Sequence, residues 1–171
     1  MSFGDSSVCS CRCRGEYTAA MAPSRPNTDA GYLDAAARII FMGGLNRQVV
    51  EGKWPGTREA FLDFDIDKVA ELGDDDVDGL AGDDRVIKYR AKLAAVVTNA
   101  RTMRELAAEQ GSFGAYVEGL YNEHGVAGAS KRLSDAFAYI SAEGAKHWLY
   151  ATGYDIGEVS EKVERKYAPF G

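Results

Sequence analysis

Histidine is almost missing from this chain, and cysteine is confined to one short stretch. Of 171 residues only His124 and His147 are histidines, and the three cysteines are Cys9, Cys11 and Cys13. An odd number of thiols within five residues suits neither a secreted disulfide framework nor a four-ligand zinc site without outside ligands. We read the cluster as tail thiols without a structural task. No run of 18 apolar residues occurs, which excludes a transmembrane helix on length. The N-terminus lacks the basic-then-apolar pattern of a secretory signal, so a cytoplasmic protein with no membrane association is expected. No stretch alternates apolar and polar residues as a half-buried strand would. A net charge of −6 argues against strong nonspecific affinity for nucleic acid. What remains is 46% hydrophobic and 27% charged, an ordinary globular composition. The length suits one domain with a sizeable core.

The charges are segregated. Residues 63–84 hold ten carboxylates against the single cation Lys68, whereas residues 85–104 hold six cations (Arg85, Lys88, Arg90, Lys92, Arg101 and Arg104) and no carboxylate. Two readings stand side by side. The basic run is a phosphate-facing strip beside an acidic loop, or the two runs neutralise each other across a helix pair.

Apolar spacing predicts an all-α chain. Residues 1–27, rich in Ser, Gly and Pro, read as an irregular arm, and residues 28–171 as a single helical domain. Thr28-Asp29 can cap a helix carrying Tyr32, Leu33, Ala36, Ile39, Ile40 and Gly43 on one face. A second helix spans Asn46 to Lys53 and is expected to break at Pro55-Gly56, where Thr57 caps a new turn. Asp65 caps a short helix, and Asp74 to Asp76 offer N-caps for the next, suiting the positive end of its dipole. The stripe Leu93, Val96, Val97, Ala100, Met103, Leu106, Ala107 marks the longest predicted helix, ending at Gln110-Gly111. Ser112 caps a further helix. Residues 121–129 read as a loop, Leu133 to Ile140 as helix, Ala145 to Tyr150 as another, and 158–166 as a charged C-terminal segment.

One phrase is distinctive: Phe41-Met42-Gly43-Gly44-Leu45-Asn46-Arg47, followed by Lys53-Trp54-Pro55-Gly56-Thr57-Arg58. Together with Asp65 to Ala70 and the run Arg85 to Leu93 through Arg101, it resembles the DNA-3-methyladenine glycosylase I family. That resemblance implies a helix-hairpin-helix DNA glycosylase-like fold and hydrolysis of the N-glycosidic bond of alkylated purines in duplex DNA, by a monomer. Family members usually read Gln-Ala-Gly-Leu, then Ser or Asn, then Trp at this phrase. Here the glutamine position is Met42, the base-stacking tryptophan is Arg47, and a base-contacting glutamate is Ile39. The zinc ligands many members carry near the C-terminus have no counterpart in 155–171, so neither metal nor cofactor is expected.

A glycosylase must extrude its nucleotide, hold the base between flat side chains, and grip the backbone with amides and cations. The resemblance assigns Phe41, Met42, Asn46 and Arg47 to the base pocket. Arg85, Lys88 and Arg90 become backbone contacts, with Ser141, Gly144 and Lys146 at the hairpin phrase Tyr139 to Lys146. Asp155, downstream of the hairpin, and Asp34, on the first helix, are the two candidate carboxylates for stabilising an oxocarbenium-like sugar. The alternative is a relative that has lost catalysis and binds DNA, a nucleobase-like ligand or a protein.

Overall fold

The structure is a computed structural model and describes residues 25–170. Among these there are eight α-helices, one turn of 3-10 helix and no strand. The helices are α1 (Asp29–Met42), α2 (Arg47–Ala60), α3 (Ile66–Ala70), α4 (Asp74–Gly82), α5 (Arg90–Gln110), α6 (Phe113–Ala136), α7 (Ala142–Ala151) and α8 (Glu161–Tyr167), with the 3-10 turn at Leu62–Phe64. None is long and apolar enough to cross a membrane. The cysteine cluster and most of the expected N-terminal arm lie outside the described residues.

Local chemistry starts most of these elements. Thr28 accepts a hydrogen bond from the Gly31 amide, Asp65 from those of Asp67 and Lys68, and Ser112 from that of Ala115. At α4 the expectation is corrected. The N-cap is Gly73, and Asp74 to Asp76 form the first turn; the Asp76 carboxylate reaches back to accept the Gly73 amide at 2.8 Å.

α5 forms the centre, packed against α1, α3, α4 and α6, while α7 lies against α6 and α1. Two aromatic clusters fill the space between. In one, Phe113 stacks on Trp148 at 5.6 Å and meets Tyr32 and Phe137 edge-on. In the other, Trp54 stacks on Phe64 at 5.6 Å, Phe61 stacks on Phe64, and Phe41 meets Trp54 edge-on. Polar ties fix the register. Asn99, fully buried on α5, donates to the Ala138 carbonyl and accepts from its amide, clasping the turn before α7. The Trp148 indole donates to the Tyr32 carbonyl at 3.1 Å, pinning α7 to α1.

Two breaks read from the sequence are absent. α2 runs through Pro55 to Ala60, with Thr57 inside it donating its hydroxyl to the Lys53 carbonyl. An internal proline costs a helix about 3 kcal/mol. Val50, Trp54 and Thr57 form a buried face at helical spacing, and burying a tryptophan alone returns roughly 4–6 kcal/mol. Burial therefore outweighs the local preference. The Pro-Gly pair has another use: a Cβ on Gly56 would sit 2.8 Å from the Arg85 Cβ, so only glycine allows this approach. The loop read over 121–129 is likewise helical, apart from one residue. Gly125, at φ 65° and ψ −173°, interrupts α6 and re-aims its second half.

Candidate functional site

At the outer edge of α1 lies a cleft of about 330 Å³, lined by residues from six parts of the chain: Arg25 and its neighbours before α1, Asp34 and Arg38 on α1, Arg58 on α2, Asp63 in the 3-10 turn, Ala151 on α7, and Pro169-Phe170 after α8. Asp34 and Arg38 share one face because they are four residues apart on a helix. The Arg38 Nε donates to Asp34 Oδ1 at 2.8 Å, the Trp54 indole donates to both carboxylate oxygens at 3.2 and 3.3 Å, and Arg58 Nε stands 3.6 Å away. The Asp34 side chain keeps only 15% of its surface exposed. The result is a carboxyl group held by two hydrogen-bond donors, Arg38 and Trp54, with the Arg58 guanidinium close by, at the wall of a cleft.

Beside it runs an alternating stack of rings and cations. The Arg38 guanidinium lies 4.6 Å from the centre of the Trp54 ring and 4.6 Å from that of Phe170. Arg47 covers Phe170 at 4.9 Å, donates to the Ala168 carbonyl at 3.0 Å, and pairs with Glu51 at 2.8 Å. Cation–π contacts of this kind contribute about 0.5–2 kcal/mol each. They draw the C-terminal residues onto the motif position that carries a base-stacking tryptophan in the resembled family.

The other wall is strained. Leu62, Asp63 and Phe64 all have left-handed backbones, with φ of 56°, 57° and 57°. Such a conformation costs about 1–2 kcal/mol per non-glycine residue. Phe64 is locked by its stacking and is wholly buried. The turn thereby holds Asp63 at the cleft.

The other residues singled out in the sequence fall as follows. Phe41 and Met42 are wholly buried in the core, where Phe41 supports Trp54 and through it Asp34. Asn46 is the N-cap of α2, accepting the Val49 amide at 2.8 Å, and with Arg47 it lines a separate groove. Asp155 is exposed, accepts the Gly157 amide at 2.9 Å, and does not line the cleft. Ser141 caps α7 by accepting the Gly144 amide at 3.0 Å. Lys146, on the same helix, borders a shallow groove with Glu143 and with Ser130, whose hydroxyl is buried without a partner. The structure thus brings Asp34 to a cleft and leaves Asp155 on an exposed turn.

The two segregated charge runs meet. Arg85 engages both oxygens of Asp83, Lys88 pairs with Asp84 at 2.5 Å, Arg90 with Asp78 at 2.5 Å, and Arg104 with Glu71. The Arg85 side chain and amide hold the Asp83 carboxyl down at about 2. Arg101 donates to the Ala70 and Leu72 carbonyls. Of the two readings, mutual neutralisation describes these pairs. Arg38, Arg58, Asp63 and Phe170 were not identified from the sequence. Only the Asp34–Arg38 spacing carried a local signal; the others converge through tertiary folding.

A family model described as methyladenine glycosylase matches residues 39–146. Among solved structures, 3-methyladenine DNA glycosylase I from Staphylococcus aureus superposes with a TM-score of 0.70 at 22% identity, over 78% of this chain and 81% of that one. A tyrosine-to-phenylalanine variant of 3-methyladenine DNA glycosylase I in complex with 3-methyladenine gives 0.67 at 22% identity, over 85% and 87%. A solution structure of 3-methyladenine DNA glycosylase I gives 0.65 at 23% identity, over 83% and 84%. These likenesses establish a common helical fold.

Proposed function

This chain belongs to the methyladenine glycosylase family, and from that premise we propose that it is a DNA base-excision glycosylase releasing alkylated purines such as 3-methyladenine. The observation that supports the reading is the Asp34 carboxylate, clamped by Arg38, Trp54 and Arg58 at the wall of a cleft of about 330 Å³. That volume lies within the range of small-molecule sites, about 300–1,000 Å³. A flipped nucleotide would enter there.

An N3-alkylated adenine is cationic in the nucleotide. When the bond from its ring nitrogen to the sugar C1′ breaks, the electron pair goes to the nitrogen and the base leaves neutral. No general acid is therefore required. Positive charge moves to the sugar, and a fixed carboxylate stabilises it; water then adds to C1′ and loses a proton, leaving an abasic site. Asp34 is the residue we assign to that stabilisation, in a pre-oriented form that needs no reorganisation during the step. Asp63 adds a second carboxylate to a cleft that Arg25, Arg38 and Arg58 also line. Arg38 and Arg58 position Asp34, while Ser141, Gly144 and Lys146 at the start of α7 lie against the backbone.

The test is product analysis. Methylated duplex DNA incubated with the full chain is expected to yield free 3-methyladenine and an equal number of abasic sites, and an Asp34→Asn variant far fewer of both. Neither product above the level of the variant would overturn the proposal. A rise in melting temperature with 3-methyladenine but no product would favour a binding protein instead.

A further inference from the structure

A second groove, of about 790 Å³, lies beside the cleft. It is lined by Gly44, Leu45, Asn46, Arg47, Gln48 and three residues of α8: Lys162, Arg165 and Lys166. The spacing of the last three, i, i+3 and i+4, places them on one helix face. Lys92 lies close by, donating to the Gly43 carbonyl at 2.5 Å, and the charge of Lys166 acts on it. Two of these cations are engaged, Arg47 by Glu51 and Arg165 by Glu161. No carboxylate pairs with Lys92, Lys162 or Lys166 among the described residues. Glu164, the remaining acid of α8, lies near Tyr150 and does not line the groove.

We infer that this groove seats a second stretch of the phosphodiester backbone of duplex DNA, besides the one assigned to the start of α7; the inference rests on the glycosylase reading above. Three observations converge on it. First, Arg85, Lys88, Arg90 and Arg104, the cations the sequence made conspicuous, are each held by a carboxylate. A phosphate would have to compete with a partner already in place there. Second, α2 begins in the groove, so the positive end of a 14-residue helix adds to the unpaired lysines. Third, Arg47 belongs to both places: it lines the groove and covers Phe170, which lines the cleft. A strand lying along the groove therefore brings its phosphates beside the cleft into which a base would turn. In a chain of net charge −6, a local excess of cations is the feature that attracts DNA in one orientation and not others.

The experiment is fluorescence anisotropy of a labelled, undamaged 20-base-pair duplex across a range of salt, using the full chain. Reversing Lys162→Glu with Lys166→Glu is expected to weaken binding at least tenfold and to flatten the slope of log affinity against log salt by about two. Reversing Lys131→Glu with Arg132→Glu on α6, a change of equal charge, is expected to stay within about threefold of the unmodified protein. Melting curves confirm that each variant folds. Equal losses in both pairs, an unchanged slope for K162E/K166E, or no binding by the unmodified chain at low salt would overturn the inference. Because undamaged DNA is not turned over, the result is separate from catalysis. Binding through the groove without base release would sink the glycosylase reading alone, and base release that survives K162E/K166E with unchanged affinity would sink this one alone.

Discussion

Replacing Asp34 by asparagine is the change whose consequence can be worked out most fully. The carboxylate accepts from Arg38 at 2.8 Å and from Trp54 at 3.2 and 3.3 Å, and faces Arg58 at 3.6 Å. Asparagine keeps one oxygen for the indole, but its NH₂ group then turns toward a guanidinium. Breaking a fully buried ion pair costs about 3–5 kcal/mol, and losing one hydrogen bond to a charged group about 1.5–3 kcal/mol. Arg38 retains Glu51 at 3.8 Å, and Asp34 is 15% exposed, so the lower part of that combined range applies. We expect a loss of about 2–3 kcal/mol, which for a domain of this size lowers the melting temperature by roughly 4–12 °C. Thermal unfolding followed by circular dichroism measures this, with indole emission reporting the environment of Trp54. Raising salt to about 0.5 M should not close the gap, because screening acts mainly on exposed charges. At 20 °C, where the variant stays folded, base release should still fall at least tenfold. A melting temperature within 2 °C of the unmodified protein, with unchanged emission, would refute the claim that Arg38 and Trp54 clamp the Asp34 side chain.

Three further changes separate local strain, close packing and protonation. Asp63→Gly relieves a left-handed backbone, so stability should hold or rise by up to about 1 kcal/mol while base release falls; a melting temperature lowered by several degrees would contradict this. Gly56→Ala gains about 1 kcal/mol of helix propensity but forces a Cβ to 2.8 Å from the Arg85 Cβ. Overpacking at about 1–3 kcal/mol should win, and a higher melting temperature would show that the approach can relax. His147 is buried and stacked on Tyr167 at 4.2 Å; burial pushes its pKa below the usual 6.5 against the pull of Glu143. Below pH 6.5 the unfolded chain takes up this proton before the folded one, so stability falls with falling pH there and is fully present above it. Urea midpoints between about pH 5 and 7 should slope less in His147→Gln, and parallel slopes would exclude the assignment.

Elements set by neighbours in sequence were legible in it. Thr28, Asp65 and Ser112 cap their helices through bonds two or three residues long, and the stripe along α5 needs only helical spacing. Distant burial, by contrast, overrides local breakers. Pro55 stays in helix because Trp54 is buried under α1, and residues 121–129 stay helical because a single glycine absorbs the turn. The cleft shows the same division. Asp34 and Arg38 meet by helix periodicity, but Arg58, Asp63 and Phe170 arrive from positions up to 136 residues away, with no pattern in the chain to announce them. The acidic and basic runs were visible as composition; Arg85 and Lys88 pair with neighbours in sequence, but the pairing of Arg90 with Asp78 and of Arg104 with Glu71 needs α5 packed beside α4 and α3.

The proposed catalysis depends on Asp34 acting on the sugar of a flipped, alkylated purine nucleotide. Its most direct test is the single-turnover rate of 3-methyladenine release from methylated duplex DNA by the unmodified chain and by Asp34→Asn, both in excess over substrate at 20 °C. Measurable release by the unmodified chain is expected, with a rate at least ten times lower in the variant. Equal rates, or no release by either, would contradict it.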